Sequence, residues 1–174
     1  AGAVAIRQLS AALGTSWNIR FNYTTGSSFT SAPNAYLWVG VTSDSTYTSS
    51  QGADSQSGDA CFWRWQMTDT DELLVNKTWD GGAETSTSNG QTGLSWANNT
   101  TEYWELTYDD TTFSSKKFTD SSYDTQDGTT TTVTDAGLTG MNYLLVGTGY
   151  DAVSGVWAID INDIKINNDS TDPC

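Results

Sequence analysis

Apolar residues at every second position constrain this chain more than any other feature. Trp17, Ile19, Phe21 and Tyr23 alternate with Asn18, Arg20 and Asn22. A period of two places the first set on one face of an extended strand and the polar set on the other. Similar segments recur along the chain. Residues 35–42 are nearly all apolar, as a central strand requires. In residues 61–67, Phe62, Arg64 and Gln66 share one face, and Cys61, Trp63, Trp65 and Met67 the other. Residues 73–79 form a further strand. Residues 102–108 alternate and return through Asp109-Asp110 into residues 112–119, a hairpin. Residues 129–134 read as an exposed Thr-rich strand, 81–92 as a loop and 93–97 as a short strand. The apolar runs 141–147 and 156–166 read as a closing hairpin. About ten short strands at regular spacing, with no convincing helix, predict an all-β fold: an antiparallel β-sandwich or jelly roll.

The last strand carries an irregularity. Trp157, Ile159 and Ile161 point one way, and Val156, Ala158, Ile164 and Ile166 the other. A strand that changes its apolar side needs a bulge or cover on both faces. Asp160, Asn162 and Asp163 stand where the side changes.

Charge narrows the choice of partner. The net charge is −14, with seven basic residues in 174. Phosphate neutralisation dominates nucleic-acid affinity, so nucleic acid is excluded as a partner, and anionic membranes are disfavoured. No apolar run is long enough to span a bilayer. The amino-terminal residues read as a mature end left after processing. Acidic groups suit calcium, and Asp151, Asp160, Asn162 and Asp163 are its candidate ligands beside the plainer reading of solvated turn residues. No cofactor is required. Cys61 and Cys174 are the two cysteines. Paired, they would close most of the chain, worth about 4–5 kcal/mol in the loop-entropy model. Separate thiols, or a bridge between subunits, remain open alternatives. Asn-x-Ser/Thr acceptors stand at Asn22, Asn76, Asn98, Asn99 and Asn168, which fits an extracellular protein.

Segments 16–21, 37–45, 102–107, 137–147 and 155–166 resemble, in order, the concanavalin A-like (laminin-G-like) jelly rolls of secreted microbial and viral proteins. The resemblance implies the sandwich fold and an extracellular, cell-surface or virion-surface setting. That family holds lectins, carbohydrate-binding modules, glycosidases and structural modules, so it leaves the function open. This chain departs from it twice. Only a short segment precedes Trp17, where the family usually has a further strand or two. The carboxylate cluster Glu-x-Asp-x-x-Glu of the family's glycosidases is missing, and Glu102 and Glu105 point to opposite faces. A glycoside hydrolase is therefore the least favoured reading, and the chain is expected not to be an enzyme.

The first departure divides the chain into an apolar arm, residues 1–15, and a jelly roll, residues 16–174. The favoured function is a self-assembling extracellular structural protein. The arm of one subunit would be donated to the next, with Val4, Ile6 and Leu9 as anchors worth about 1.5–3 kcal/mol each when buried. Trp157, Ile159 and Ile161 would receive it. Head-to-tail donation yields a filament, a homo-polymer. The plainer alternative pairs residues 1–9 within their own chain. The other functional reading is a carbohydrate-binding module whose sugar platform draws on Trp63, Trp65, Trp79, Trp96 and Tyr47.

Overall fold

The alternating segment forms β2 (Ser16–Thr25), and Trp17, Ile19, Phe21 and Tyr23 are buried along its inner face. The computed structural model describes residues 4–27, 35–45, 56–67, 72–89, 98–150 and 159–168. Ahead of β2 lies β1 (Val4–Gln8). After it come β3 (Ala35–Thr42), β4 (Ala60–Met67), β5 (Glu72–Asp80) and β6 (Ala83–Asn89). Then come β7 (Thr101–Asp109), β8 (Thr112–Phe118), β9 (Gln126–Thr134), β10 (Tyr143–Tyr150) and β11 (Ile159–Asn167). All ladders are antiparallel. They build a six-stranded sheet, β1-β10-β3-β4-β5-β6, and a five-stranded sheet, β11-β2-β7-β8-β9. The described residues contain no helix. The fold is the antiparallel jelly-roll β-sandwich that the alternation demands.

Aromatic side chains fill the space between the sheets. Trp63 of β4 lies edge-on to Phe21 at 5.4 Å and 5.0 Å from Trp104 of β7. Leu37, Val39 and Val41 of β3 and Leu106 and Phe113 opposite complete the layer. Few side chains suffice because each ring removes so much area from water. A polar bridge crosses this interior. Asn76 of β5, wholly buried, donates from Nδ2 to the Thr131 carbonyl at 2.9 Å and accepts from Ser115 Oγ at 2.9 Å. It ties the six-stranded sheet to β8 and β9.

The structure corrects three expectations. The apolar runs near the end of the chain do not form a hairpin. β10 pairs with β3 and β1, whereas β11 crosses to the other sheet and pairs with β2. Both runs are apolar, and their patterns alone do not say which sheet each joins, or that β11 lies at an edge. The segment read as a loop from residue 81 contains β6, an edge strand of small polar residues with no apolar alternation to announce it. The expected Cys61 bridge does not form: Cys61 is a free thiol, fully enclosed on the inner face of β4, where burial pushes its pKa up. Cys174 and the expected strand 93–97 lie outside the described residues. The bulge in the last strand is present. The β11–β2 register shifts between Asn162 and Lys165, and Asp163 takes a positive φ of 52°.

Two phenols, Tyr108 buried and Tyr123 half-buried, make the fold sensitive to alkali. Tyr108 Oη donates to the carbonyl of Asp110 or Asp135, 3.0 Å from each, and accepts the Leu138 N–H at 3.1 Å. Burial pushes this phenol from its ordinary 10 up to about 12. Tyr123 also rises to about 12, through burial opposed by the nearby Arg20 charge. The folded state favours the protonated form of each. Stability from this source is complete below pH 10 and is lost as the pH rises from about 10 through 12. Denaturant titrations at pH 9 and 11 are expected to show a lower midpoint at pH 11. Asn76→Ala is expected to cost about 1–3 kcal/mol in the same assay, because it leaves buried partners unsatisfied.

Candidate functional site

The six-stranded sheet is apolar on both faces. Its outer face carries a second cluster of Trp38, Ala60, Phe62, Trp79 and Leu145, with Val4 and Tyr36 packed at its margin. Trp38 stands edge-on to Phe62 at 5.6 Å, and Phe62 edge-on to Trp79 at 5.7 Å. Gly147 on β10 permits this layer, since a Cβ there would come within 2.6 Å of the Trp38 ring. Alternation along β3 and β4 sets polar groups beside the aromatic bed. The Arg64 guanidinium lies 5.1 Å from the centre of the Tyr36 ring, and its Nη2 donates to Gln66 Oε1 at 3.1 Å. Tyr36, Arg64 and Gln66 are half-buried. Next to them Lys77 stacks on Trp79 at 5.7 Å and pairs with Glu84 Oε2 at 3.2 Å. A planar donor fork fixed against a ring, flanked by an amide, can hold a neutral ligand rich in hydroxyls.

The aromatics proposed from sequence as a sugar platform occupy other places. Trp63 and Trp65 belong to the inner core, and Trp79 is buried beneath the outer face. None offers a free ring face, because a sandwich of this size spends its large side chains on burial. Trp96 and Tyr47 lie outside the described residues. The sequence assigns no site role to Tyr36, Arg64, Gln66, Lys77 or Glu84, and only places Arg64 and Gln66 on one face of a strand. The near-continuous apolar run of β3 was the available signal, since it requires cover on both faces of the sheet.

The residues named for assembly meet at the other margin of the sandwich. Val4 packs on the outer aromatic cluster, and Leu9, Ile159 and Ile161 pack on the inner core while remaining partly exposed. Trp157 lies outside the described residues. The expected pairing of the last strand with the first is corrected: β1 lies along β10 of its own chain and β11 along β2. The two edge strands face each other across a cavity of about 640 Å³. Leu13, Leu144, Val146, Ile161, Ile164 and Ile166 give it apolar walls, and among the described residues Arg7 is the one ionisable side chain lining it. On the opposite margin β6 and β9 are in contact, so the sandwich is closed on that side.

The two buried carboxylates among the described residues, Glu102 and Glu105, serve the fold. Glu102 accepts from Tyr23 Oη at 2.6 Å and Trp104 Nε1 at 3.1 Å, and pairs with Lys117 at 3.0 Å. Glu105 pairs with Arg20 at 2.7 Å on the other face of β7. The calcium candidates do not assemble. Asp160 and Asn162 are exposed on β11, and the bulge turns Asp163 toward β2, where it accepts from Asn22 Nδ2 at 3.0 Å. Asp151 lies outside the described residues. Among those residues no group of three or more His, Cys, Asp or Glu is arranged to hold a metal ion.

No family model and no curated protein matches the sequence. Solved structures do share its fold. A complex of scytalido-glutamic peptidase with a peptide-based transition state analogue superposes with a TM-score of 0.58 at 11% identity, over 97% of this chain and 80% of that one. CG-16, a homodimeric agglutinin from chicken liver, gives 0.53 at 9% identity, over 96% of this chain and 100% of the other. Sheep galectin-11, in complex with glycerol, gives 0.51 at 11% identity, over 91% and 96%. The chain therefore shares the jelly-roll β-sandwich fold of these proteins. At these identities the likeness concerns fold alone.

The acceptor asparagines separate by accessibility. Asn76 is enclosed and Asn22 is buried with its amide engaged, so neither can receive a glycan in the folded chain. Asn98 and Asn99 are exposed at a turn. Asn168 is exposed, but its side chain accepts the Gly14 N–H at 2.6 Å. Peptide mapping of glycosylated material is expected to find sugar at Asn98 or Asn99 and none at Asn76. Occupancy at Asn76 would contradict its burial between the sheets.

Proposed function

We propose that this chain is a carbohydrate-binding, lectin-like module that acts outside the cell and without catalysis. The observation that carries the reading is the Tyr36, Arg64 and Gln66 group on the outer face of the six-stranded sheet. Its guanidinium is oriented by the Tyr36 ring and the Gln66 amide. Sugar hydroxyls would accept from Arg64, and Gln66 and Tyr36 supply further polar contacts. An agglutinin and a galectin built on the same sandwich support this choice. A peptidase also shares the fold, but Glu102 and Glu105 are engaged in structural pairs, which supports a non-catalytic reading. The acidic, Ser/Thr-rich composition supports an extracellular setting.

A second reading, assembly of copies through the amino-terminal strand into a homo-polymer, is favoured by the open margin between β1 and β11.

A glycan array tests the main reading. Binding to at least one sugar class is expected, and Arg64→Ala is expected to weaken it about 10- to 100-fold, the cost of losing a charged hydrogen bond. The melting temperature should change little. An array without hits, or an Arg64→Ala protein that binds like wild type, would overturn the proposal.

A further inference from the structure

β1 presents the wrong face to the cavity beside it. Its register sets Val4 opposite Gly147 and Ile6 opposite Leu145, so both branched side chains lie on the outer face of the sheet. Val4 finds the outer aromatic cluster there, but Ile6 is 40% exposed, the one exposed large hydrophobic among the described residues. Ala5 stands opposite Val146 and Arg7 opposite Leu144. Val146 and Leu144 line the cavity, so a methyl group and a guanidinium face its apolar walls. Small and charged side chains on that face leave the cavity open; Ile6 and Leu9 also border it, but the register sets the Val4 and Ile6 side chains on the outer face of the sheet.

A shift of one residue exchanges the two faces of a strand. Val4 would then stand opposite Val146 and Ile6 opposite Leu144, with both directed into the cavity. Arg7 would leave the apolar walls. Within one chain this shift is opposed by the segment between β1 and β2. Leu9 N–H donates to the Asn142 carbonyl at 2.8 Å and Leu13 N–H to the Met141 carbonyl at 2.9 Å, fixing where the chain leaves β10. A strand supplied by another copy lacks that tether.

We infer that the Val4–Gln8 strand of a second copy replaces the chain's own β1 on the edge of β10, one residue out of the register β1 adopts in its own chain, and fills the space toward β11. The occupant is a second copy because this strand carries the branched side chains at the required spacing and already pairs with β10. The inference rests on the assembly reading and adds its register. It is independent of sugar binding. Donation from copy to copy in one direction continues without closing, whereas mutual donation stops at a dimer.

Register-specific cross-linking tests it. In a Cys174→Ser background, chains carrying Val4→Cys are unfolded, mixed with chains carrying Val146→Cys, refolded and oxidised. A parallel mixture uses Ala5→Cys with Val146→Cys. Light scattering of the unmodified protein reports the size of any assembly. The expected result is particles larger than a monomer and an interchain disulfide in the Val4→Cys mixture at several-fold higher yield than with Ala5→Cys. A higher yield from Ala5→Cys would overturn the shifted register while leaving assembly standing. Monomers by scattering, with no interchain disulfide in either mixture, would overturn both.

Discussion

The six-stranded sheet must be covered on both faces, and the rest of the molecule is arranged around that requirement. β3 and β4 alternate between Leu37, Val39, Trp63 and Trp65 on one side and Trp38 and Phe62 on the other, all buried. The five-stranded sheet covers the inner face. On the outer face the aromatic rings cover one another, with Gly147 making room for Trp38. A sheet covered twice can anchor polar side chains at its margin on a rigid support, and Arg64 and Gln66 are held in this way. Sites built on strands keep their geometry better than sites built on loops.

Charge is distributed under a related constraint. Seven basic residues serve a chain of net charge −14. Arg20 holds Glu105, Lys117 holds Glu102 and Asp127, and Lys77 holds Glu84. Burial lowers the proton affinity of the Lys117 amine, but the charge and hydrogen bonds of its two carboxylates outweigh it and leave the pKa raised. Most of the acidic groups among the described residues stay in water, where they repel one another and keep copies apart unless a specific contact intervenes.

The fold was legible in the sequence because alternation is local. Trp17 through Tyr23 declare their inner face without reference to any other strand, and the reversal between Ile161 and Ile164 announced the bulge. What stayed hidden is non-local. Nothing in residues 141–147 says that they pair with β3, or that the last strand joins β2. The site was less legible for the same reason. Tyr36, Arg64 and Gln66 meet only because the β3–β4 register sets Tyr36 opposite Gln66. Abundant tryptophans drew attention as binding surfaces, yet burial claimed them.

The partnership of β11 with β2 bears on how the molecule is made. Asn22 pairs with Asn162, so the second described strand waits for the last before the five-stranded sheet is complete. During synthesis the outer edge of β2 remains bare until β11 has emerged. Loop-closure entropy is met before the contact rewards it, and such topologies fold slowly. A nascent chain in this condition offers a free strand edge to its neighbours until β11 emerges. Crowded synthesis would therefore expose it to pairing between chains before its own β11 arrives.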